Sequence, residues 1–233
     1  VEGCPASIRA SGRLGVSRIT GIITSGFPSL VTELSSGIVM LVFNFIILRL
    51  QGNVGVAAYG VIGHLSLGIM AIYTGIAQGI QPIVSRSYGA GNAKDVRAIL
   101  RYALTAMLLF SFIIYSAVVM WPGQISSIFN SEHDEVLQRI AVQGLRLYFT
   151  ACPFAGFNII ISMYFTSVEH PLPAHIISIL RGIAVVIPMA VILSFLARMT
   201  GVWCAFPCTE LLVAAVSVVL LKKTEKRVPI TAD

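Results

Sequence analysis

Charged residues are scarce in this chain: they make up 11% of its 233 residues, against about 25% in an ordinary soluble domain. Apolar residues make up 56% of the chain, and the mean hydropathy is +0.87. A water-soluble core of this size could not hide so much apolar surface, so we expect the solvent to be lipid. No polar domain with a basic face is present, which excludes nucleic acid as a partner. The net charge of +6 fits contact with an anionic membrane leaflet instead.

Enzyme motifs are missing as well. The sequence has no HExxH zinc site, no GxSxG nucleophile elbow and no P-loop. The glycine-rich segment 88–92 lacks the lysine of a phosphate-binding loop, and we predict a turn there with Asn92 as the N-cap of the next helix. Cys204 and Cys208 are one helical turn apart, but no histidine joins them, so we interpret them as small apolar side chains and not as metal ligands. We expect no enzyme and no cofactor.

Long apolar runs occupy almost the whole chain. A membrane-spanning helix needs about 20 predominantly apolar residues, and six such runs cover residues 22–48, 56–84, 100–121, 140–166, 175–197 and 201–221. These runs should be helical because backbone groups cannot remain unpaired in hydrocarbon. The sequence therefore predicts an all-α membrane protein with a six-helix bundle over 21–222. A basic cytoplasmic segment would cover 1–20, and a cytoplasmic tail would cover 223–233.

Basic residues collect on one side of these spans. The side that holds both termini carries Arg9, Arg13, Arg18, Arg86, Lys94, Arg97, Arg101, Lys222, Lys223, Lys226 and Arg227. The other side carries Arg49, Arg139, Arg146 and Arg198. Arg181 is placed near the terminal face by its position in the sequence. Because basic residues favour the cytoplasmic side, both termini are predicted to be cytoplasmic.

Five predicted spans contain a proline: Pro28, Pro82, Pro153, Pro188 and Pro207. Proline removes a helical hydrogen bond and bends the axis. We expect kinks at these positions. They suit either a protein that bends while it works or simply the greater frequency of proline in membrane helices.

Glu33 is the most informative single residue. It lies well inside the first span, where a charged side chain costs roughly 2.5–3.5 kcal/mol. Helical spacing places a polar stripe on the same face, formed by Ser29, Glu33, Ser36, Gly37, Met40 and Asn44. Such a stripe should line a cavity or the bundle interior. Glu33 is then either a carboxylate that binds a proton or Na+, or a neutral side chain in a helix–helix hydrogen bond.

Further polar positions occur in three other spans. The second span has a stripe of small and polar residues, namely His64, Gly68, Ala71, Gly75, Gln78 and Pro82, and Gln81 lies beside it. The fourth span carries Tyr148 and Asn158. Glu210 is a second intramembrane acid, in the sixth span. Its role is either ion coupling or a structural hydrogen bond in a packed bundle.

Several of these segments resemble the multidrug and toxic compound extrusion (MATE) transporters, especially their MepA-like branch. Residues 75–85, followed by Tyr88 to Gly91, are similar to the eighth helix and the next loop of that family. Asn44-Phe45 and residues 56–61 resemble the segments just before it. The last three helices of the family are matched by residues 144–148, Pro153, Arg181, residues 201–203, Pro207 and Glu210.

The resemblance implies one lobe of a twelve-helix transporter, the C-terminal one, which would pair with an N-terminal six-helix lobe absent from this chain. Such proteins export bulky, often cationic drugs in exchange for Na+ or H+, in this case across a bacterial plasma membrane. In one branch a helix-seven Glu pairs with a helix-ten Asp at a cation site. Glu33 matches that Glu, but the fourth span has no Asp.

The candidates for cation or substrate coupling are Glu33, Asn44, Asn158 and Glu210, and Glu33 alone would hold Na+. The candidates for lining the cavity are Ser29, Ser36, Met40, His64, Gln78, Gln81 and Tyr148. Three alternatives stay open: a flippase for a lipid-linked oligosaccharide, a six-span protein that acts as a homodimer, and an intramembrane enzyme or assembly factor.

Overall fold

The computed structural model describes the backbone of residues 16–130 and 134–227 and the side chains of residues 37–130 and 134–224. Within these ranges every regular element is helical. The helices are α1 (Val16–Gly89), α2 (Ala93–Met120), α3 (Pro122–Phe129), α4 (Glu135–Tyr148), α5 (Cys152–Ser167), α6 (Pro171–Ile179) and α7 (Val186–Arg227). A 3₁₀ turn, Phe149–Ala151, joins α4 to α5, and a π-helical turn, Leu180–Ala184, joins α6 to α7.

Helix α1 is two antiparallel arms and not one rod. Gly52 lies at φ 65°, ψ −157°, a conformation that is essentially restricted to glycine. The rings of Phe43 and Tyr59 stack with centroids 5.6 Å apart, although 16 residues of straight helix would separate them by about 24 Å. The chain therefore reverses at Gly52, with arms over residues 16–51 and 53–89.

Helix α7 reverses in the same way. Ala197 and Arg198 leave helical torsions, and Arg198 takes φ 48°. The backbone at Gly201 lies so close to the carbonyl of Leu193 that a Cβ there would overlap it. Four helical stretches of the described chain are apolar enough to cross a bilayer, and those over 37–89 and 171–224 contain 53 and 54 residues. At 1.5 Å per residue each would be about 80 Å long, so each reverses and crosses twice. This confirms the predicted six-helix bundle.

The two chain reversals fall at Gly52 and at Ala197 and Arg198, and not at a proline. Pro153 occupies the first turn of α5, and Pro188 follows closely on the start of α7. In a first turn the missing N–H has no helical partner to lose. The helical geometry does change within one turn before each of them, at the 3₁₀ turn and at the π-helical turn, while Pro207 lies inside α7. The bending of the axis at the prolines stays a prediction.

The loop after the third span contains an element that the sequence did not predict, the short helix α3. Its Gly123 carbonyl accepts a hydrogen bond from Gln138 Nε2 at 2.8 Å, and Ser126 Oγ donates to Gln138 Oε1 at 3.1 Å. These contacts hold α3 against α4. The predicted cap at Asn92 is confirmed, since its side chain accepts from the Asp95 amide at 3.2 Å.

Helix α5 lies at the centre of the bundle and packs against α1, α2, α6 and α7. Close packing near it depends on small residues. Gly144 lies against the Trp203 ring, where a Cβ would come within 2.9 Å of Cε2. The hydroxyls of Tyr73 and Ser111 share a buried hydrogen bond of 2.8 Å that ties α1 to α2. The central position of α5 allows it to contribute polar groups to sites shared with several helices.

Candidate functional site

A buried ion pair lies between the last arm of α7 and the π-helical turn. Glu210 is 1% exposed, and its Oε1 accepts from Arg181 Nη2 at 2.8 Å and from Arg181 Nε at 3.1 Å. The Arg181 side chain is 23% exposed, so one partner is fully desolvated and the other is largely so. A buried acid in this position needs such a partner because an unpaired charge in an apolar interior is expensive.

Helix α5 supplies the second partner of Glu210. Asn158 is fully buried, and its Nδ2 donates to Glu210 Oε2 at 2.7 Å and to the Glu210 carbonyl at 2.9 Å. The Ser217 hydroxyl lies 3.0 Å from Asn158 Oδ1 and 2.9 Å from the Val213 carbonyl, and it donates to them. Both oxygens of the carboxylate and both ends of the amide therefore have partners.

The π-helical turn determines the position of Arg181. The Val185 amide donates to the Leu180 carbonyl at 2.9 Å, which is the i→i+5 spacing of a π turn. Arg181 is also ten residues from Pro171, about 15 Å along the helix. Its predicted place near the terminal face of the membrane stays a prediction, and Glu210 supplies the counter-charge that it needs inside the bundle.

The predicted stripe on the second arm of α1 forms an exposed face of the bundle. All six members, His64, Gly68, Ala71, Gly75, Gln78 and Pro82, are exposed, and Gln81 beside them is half-buried. Nothing lies within 4 Å of a Cβ built on Gly68 or Gly75. His64 Nδ1 donates to the Gly60 carbonyl at 2.7 Å, so this ring is oriented by its own helix. The stripe is therefore an exposed face of the described part of the chain.

The other predicted site residues are scattered. Met40 is exposed and Asn44 is half-buried, both on the first arm of α1. Tyr148 is buried and stacks on Phe206 with ring centroids 4.6 Å apart. The side chains of Ser29, Glu33 and Ser36 lie outside the described residues. Of the predicted site residues, the structure brings only Asn158 and Glu210 into direct contact through their described side chains.

No group of three or more histidine, cysteine, aspartate or glutamate side chains comes together in the described part of the chain. Cys152 is buried, and Cys204 and Cys208 are partly buried in α7. Their role as small apolar side chains stays a prediction.

The profile of the MatE family matches residues 28–192. The chain belongs to the MatE family. It is 24% identical over 182 residues to the multidrug export protein MepA of Staphylococcus saprophyticus, covering 78% of this chain and 39% of that protein. It is 21% identical over 188 residues to the FAD transporter of Shewanella oneidensis, covering 79% of this chain and 39% of the relative.

Solved structures of MATE transporters share the fold. The inward-facing conformation of a multidrug resistance MATE family transporter superposes with a TM-score of 0.87 at 18% identity, covering 96% of this chain and 51% of the other. The outward-facing conformation gives a TM-score of 0.83 at 18% identity, with coverages of 97% and 50%. The chain spans about half the length of these structures and about two fifths of the curated relatives. It is a multi-pass membrane protein with the architecture of one MATE lobe.

Two residues of the buried network were not predicted as site residues. Arg181 was sorted by side of the membrane and matched to the family, but it was not paired with Glu210, although a base and an acid in separate apolar spans are natural partners. Ser217 is seven residues, or two turns, after Glu210, which places it on the same helix face. Charge pairing across spans could have identified Arg181. Nothing in the sequence pairs Asn158 with Glu210.

Proposed function

We propose that this chain forms the C-terminal lobe of a cation-coupled exporter of small organic molecules. The observation that supports this best is the exposed stripe on the second arm of α1. Lipid tails cannot solvate the His64 ring or the Gln78 amide, and open space surrounds the glycines between them. A second lobe placed against this face would enclose a polar cavity at the lobe interface, where secondary transporters bind their substrates.

The composition of the stripe favours neutral or cationic substrates. No lysine or arginine occurs between Arg49 and Arg86, so the described face offers amides and an imidazole but no fixed positive charge. This suits organic cations of the kind that a multidrug exporter carries better than a dinucleotide with a diphosphate. The relative named as an FAD transporter nevertheless makes flavin the second substrate to test.

Glu33 is the proposed coupling residue, because it is an acid inside the first arm of α1, in the helix that precedes the stripe. Binding of a proton or Na+ there would remove the cost of an unpaired carboxylate. Glu210 is a second coupling candidate, with Asn158 beside it. Its carboxylate is already fully paired, so a binding ion would have to displace Arg181 or Asn158.

The buried pair also weighs against a flippase for a lipid-linked oligosaccharide. That function needs free intramembrane cations to hold a pyrophosphate. Arg181 is neutralised by Glu210, and Arg146 lies exposed near the end of α4. The named relatives are transporters, which favours transport over an intramembrane enzyme.

We further propose a bacterial plasma membrane as the location, with both termini in the cytoplasm.

The decisive experiment measures efflux with the protein that carries this chain. Ethidium or FAD is added outside inside-out vesicles under a Na+ gradient alone or under a proton gradient alone, and its uptake into the lumen, which corresponds to export from the cell, is measured. We expect ethidium transport that depends on one of the two gradients. Glu33→Gln should abolish the ion dependence, whereas Glu135→Gln, a change at an exposed acid of α4, serves as the matched control.

The result also separates the two acids. If Glu210 only ties helices together, Glu210→Gln lowers protein stability and leaves the ion dependence of the surviving transport unchanged. If it couples, the ion dependence changes as well. Transport that persists unchanged in Glu33→Gln would refute the proposed coupling role. The absence of gradient-driven movement of either compound would refute the exporter.

A further inference from the structure

Three basic residues mark one edge of α2 near its start. Lys94, Arg97 and Arg101 are all exposed, and their spacing places them within about 60° of one another around the helix. Among the described residues none of them has a carboxylate partner within salt-bridge distance, since the pair of Arg181 and Glu210 is the one found there. The edge therefore presents three uncompensated positive charges on one surface.

Two exposed aromatic residues of α2 indicate how deep this edge lies in the membrane. Tyr102, directly after Arg101, is exposed, and Trp121 is exposed at the other end of α2. Their 19-residue separation is about 28 Å, close to the roughly 30 Å of a bilayer core. Tyrosine and tryptophan favour the two interfaces of a membrane. The basic edge consequently lies in the headgroup layer, immediately outside the hydrocarbon.

An apolar groove opens further along the same helix. It has a volume of about 560 Å³ and is lined by Leu108, Ser111, Phe112, Tyr115, Thr150, Pro153 and Phe154. The residues from 149 to 154 belong to the 3₁₀ turn and to the start of α5, so the groove lies where the chain changes its helical geometry. Leu108 and Phe112 on its rim are exposed.

The groove and the basic edge lie on the same side of α2. Leu108 and Phe112 follow Arg101 by seven and eleven residues, which is two and three helical turns. Leu108 is about 10 Å deeper than Arg101 along the helix and Tyr115 about 21 Å deeper. This range overlaps the depth of an acyl chain whose headgroup is at Arg101, since one leaflet of hydrocarbon is about 15 Å thick.

We propose that this edge of α2 is a binding site for one anionic phospholipid. Its phosphate and headgroup contact Arg97 and Arg101, with Lys94 at the outer end, and one acyl chain enters the groove. The charges select an anionic headgroup over a zwitterionic one, while the groove holds the chain in place. The site goes beyond transport and does not depend on it.

The test uses native mass spectrometry on the purified, delipidated protein that carries this chain, titrated with phosphatidylglycerol or phosphatidylethanolamine. The double variant Arg97→Gln/Arg101→Gln removes two charges from the site. The matched control, Lys222→Gln/Lys223→Gln, removes two exposed charges from the end of α7 on the same side of the membrane. Each phosphate-facing charge is worth about a fivefold change in affinity, so the double variant should weaken phosphatidylglycerol binding about thirtyfold. The control should bind as the unmodified protein does.

A second variant tests the groove. Leu108→Trp fills part of it without changing the charge, and should lower phosphatidylglycerol binding while its salt dependence stays the same. Equal binding of the two lipids by the unmodified protein, or equal losses in the double variant and the control, would overturn the proposal. So would efficient disulfide cross-linking of a Leu108→Cys variant to a second copy, because that face would then be covered by protein.

Discussion

Breaking the ion pair between Arg181 and Glu210 from one side should leave a buried charge without its counter-charge, so the two single losses of stability should add up to more than the loss from removing both partners. In Arg181→Met the Glu210 carboxylate stays 1% exposed and keeps only Asn158 as a partner. Removing one member of a buried pair typically costs about 3–5 kcal/mol. Since the Arg181 side chain is 23% exposed, part of the pairing energy is already screened, and we expect a loss near 3 kcal/mol.

The opposite change should be milder. Glu210→Gln keeps the side-chain volume, the hydrogen bond from Asn158 to the Glu210 main-chain carbonyl, and an oxygen that can face Arg181. The lost charge-assisted hydrogen bond is worth about 1.5–3 kcal/mol, and we expect about 2 kcal/mol. In the double variant Arg181→Met/Glu210→Gln no charge remains uncompensated. Its loss of unfolding free energy should therefore be about 1–3 kcal/mol smaller than the sum of the two single losses.

The assay is unfolding of the purified protein in mixed micelles with increasing dodecyl sulfate. Fluorescence of Trp203, which is fully buried, reports the transition, and Trp121→Phe removes the exposed tryptophan of α2 from the signal. The two single variants, the double variant and the parent complete one thermodynamic cycle. Additivity within about 0.5 kcal/mol would show that the two side chains are not coupled, and would refute the buried pair as a stabilising contact.

Three more changes test the packing. Gly52→Ala should lower the free energy of unfolding by about 1–3 kcal/mol because alanine disfavours φ 65°. The control Gly60→Ala, in open helical space, should leave this free energy unchanged or raise it by up to about 1 kcal/mol. Equal melting temperatures of the two variants would contradict the reversal at Gly52. Gly144→Ala should cost about 1–3 kcal/mol, measured in the same unfolding assay, because its Cβ would lie 2.9 Å from Trp203, and an unchanged transition would argue against this packing. Asn158→Leu should lower stability by about 1–3 kcal/mol, because the Glu210 main-chain carbonyl loses its side-chain donor, and full stability in that variant would rule out the network.

The number of spans could be predicted from the sequence because it depends on the length of apolar runs alone. Lipid leaves helices as the one common solution for such runs, so composition and length were sufficient. The finer geometry was not accessible in the same way. Reversal within one residue at Gly52 depends on a left-handed conformation that glycine permits but does not require, and the chain contains 20 glycines.

The candidate site was predicted in part. Glu210 and Asn158 were chosen because polar groups inside a membrane are costly, and they do meet at 2.7 Å. Arg181 was not chosen as a site residue because basic residues were sorted by side of the membrane and not by partner. The π-helical turn that carries it has no sequence signature, since one extra residue in a helical turn leaves the apolar pattern almost unchanged.

The reversals at Gly52 and at Ala197 and Arg198 also limit how a lobe of this kind can deform. The connection between the two arms of each hairpin is only one or two residues long. The arms therefore cannot slide along one another without unwinding the helix next to the bend. Each hairpin must therefore move as one rigid unit. A conformational change in these helices must therefore occur outside the two bends. The π-helical turn is the place where a shift of the helix by one residue would break the fewest main-chain hydrogen bonds.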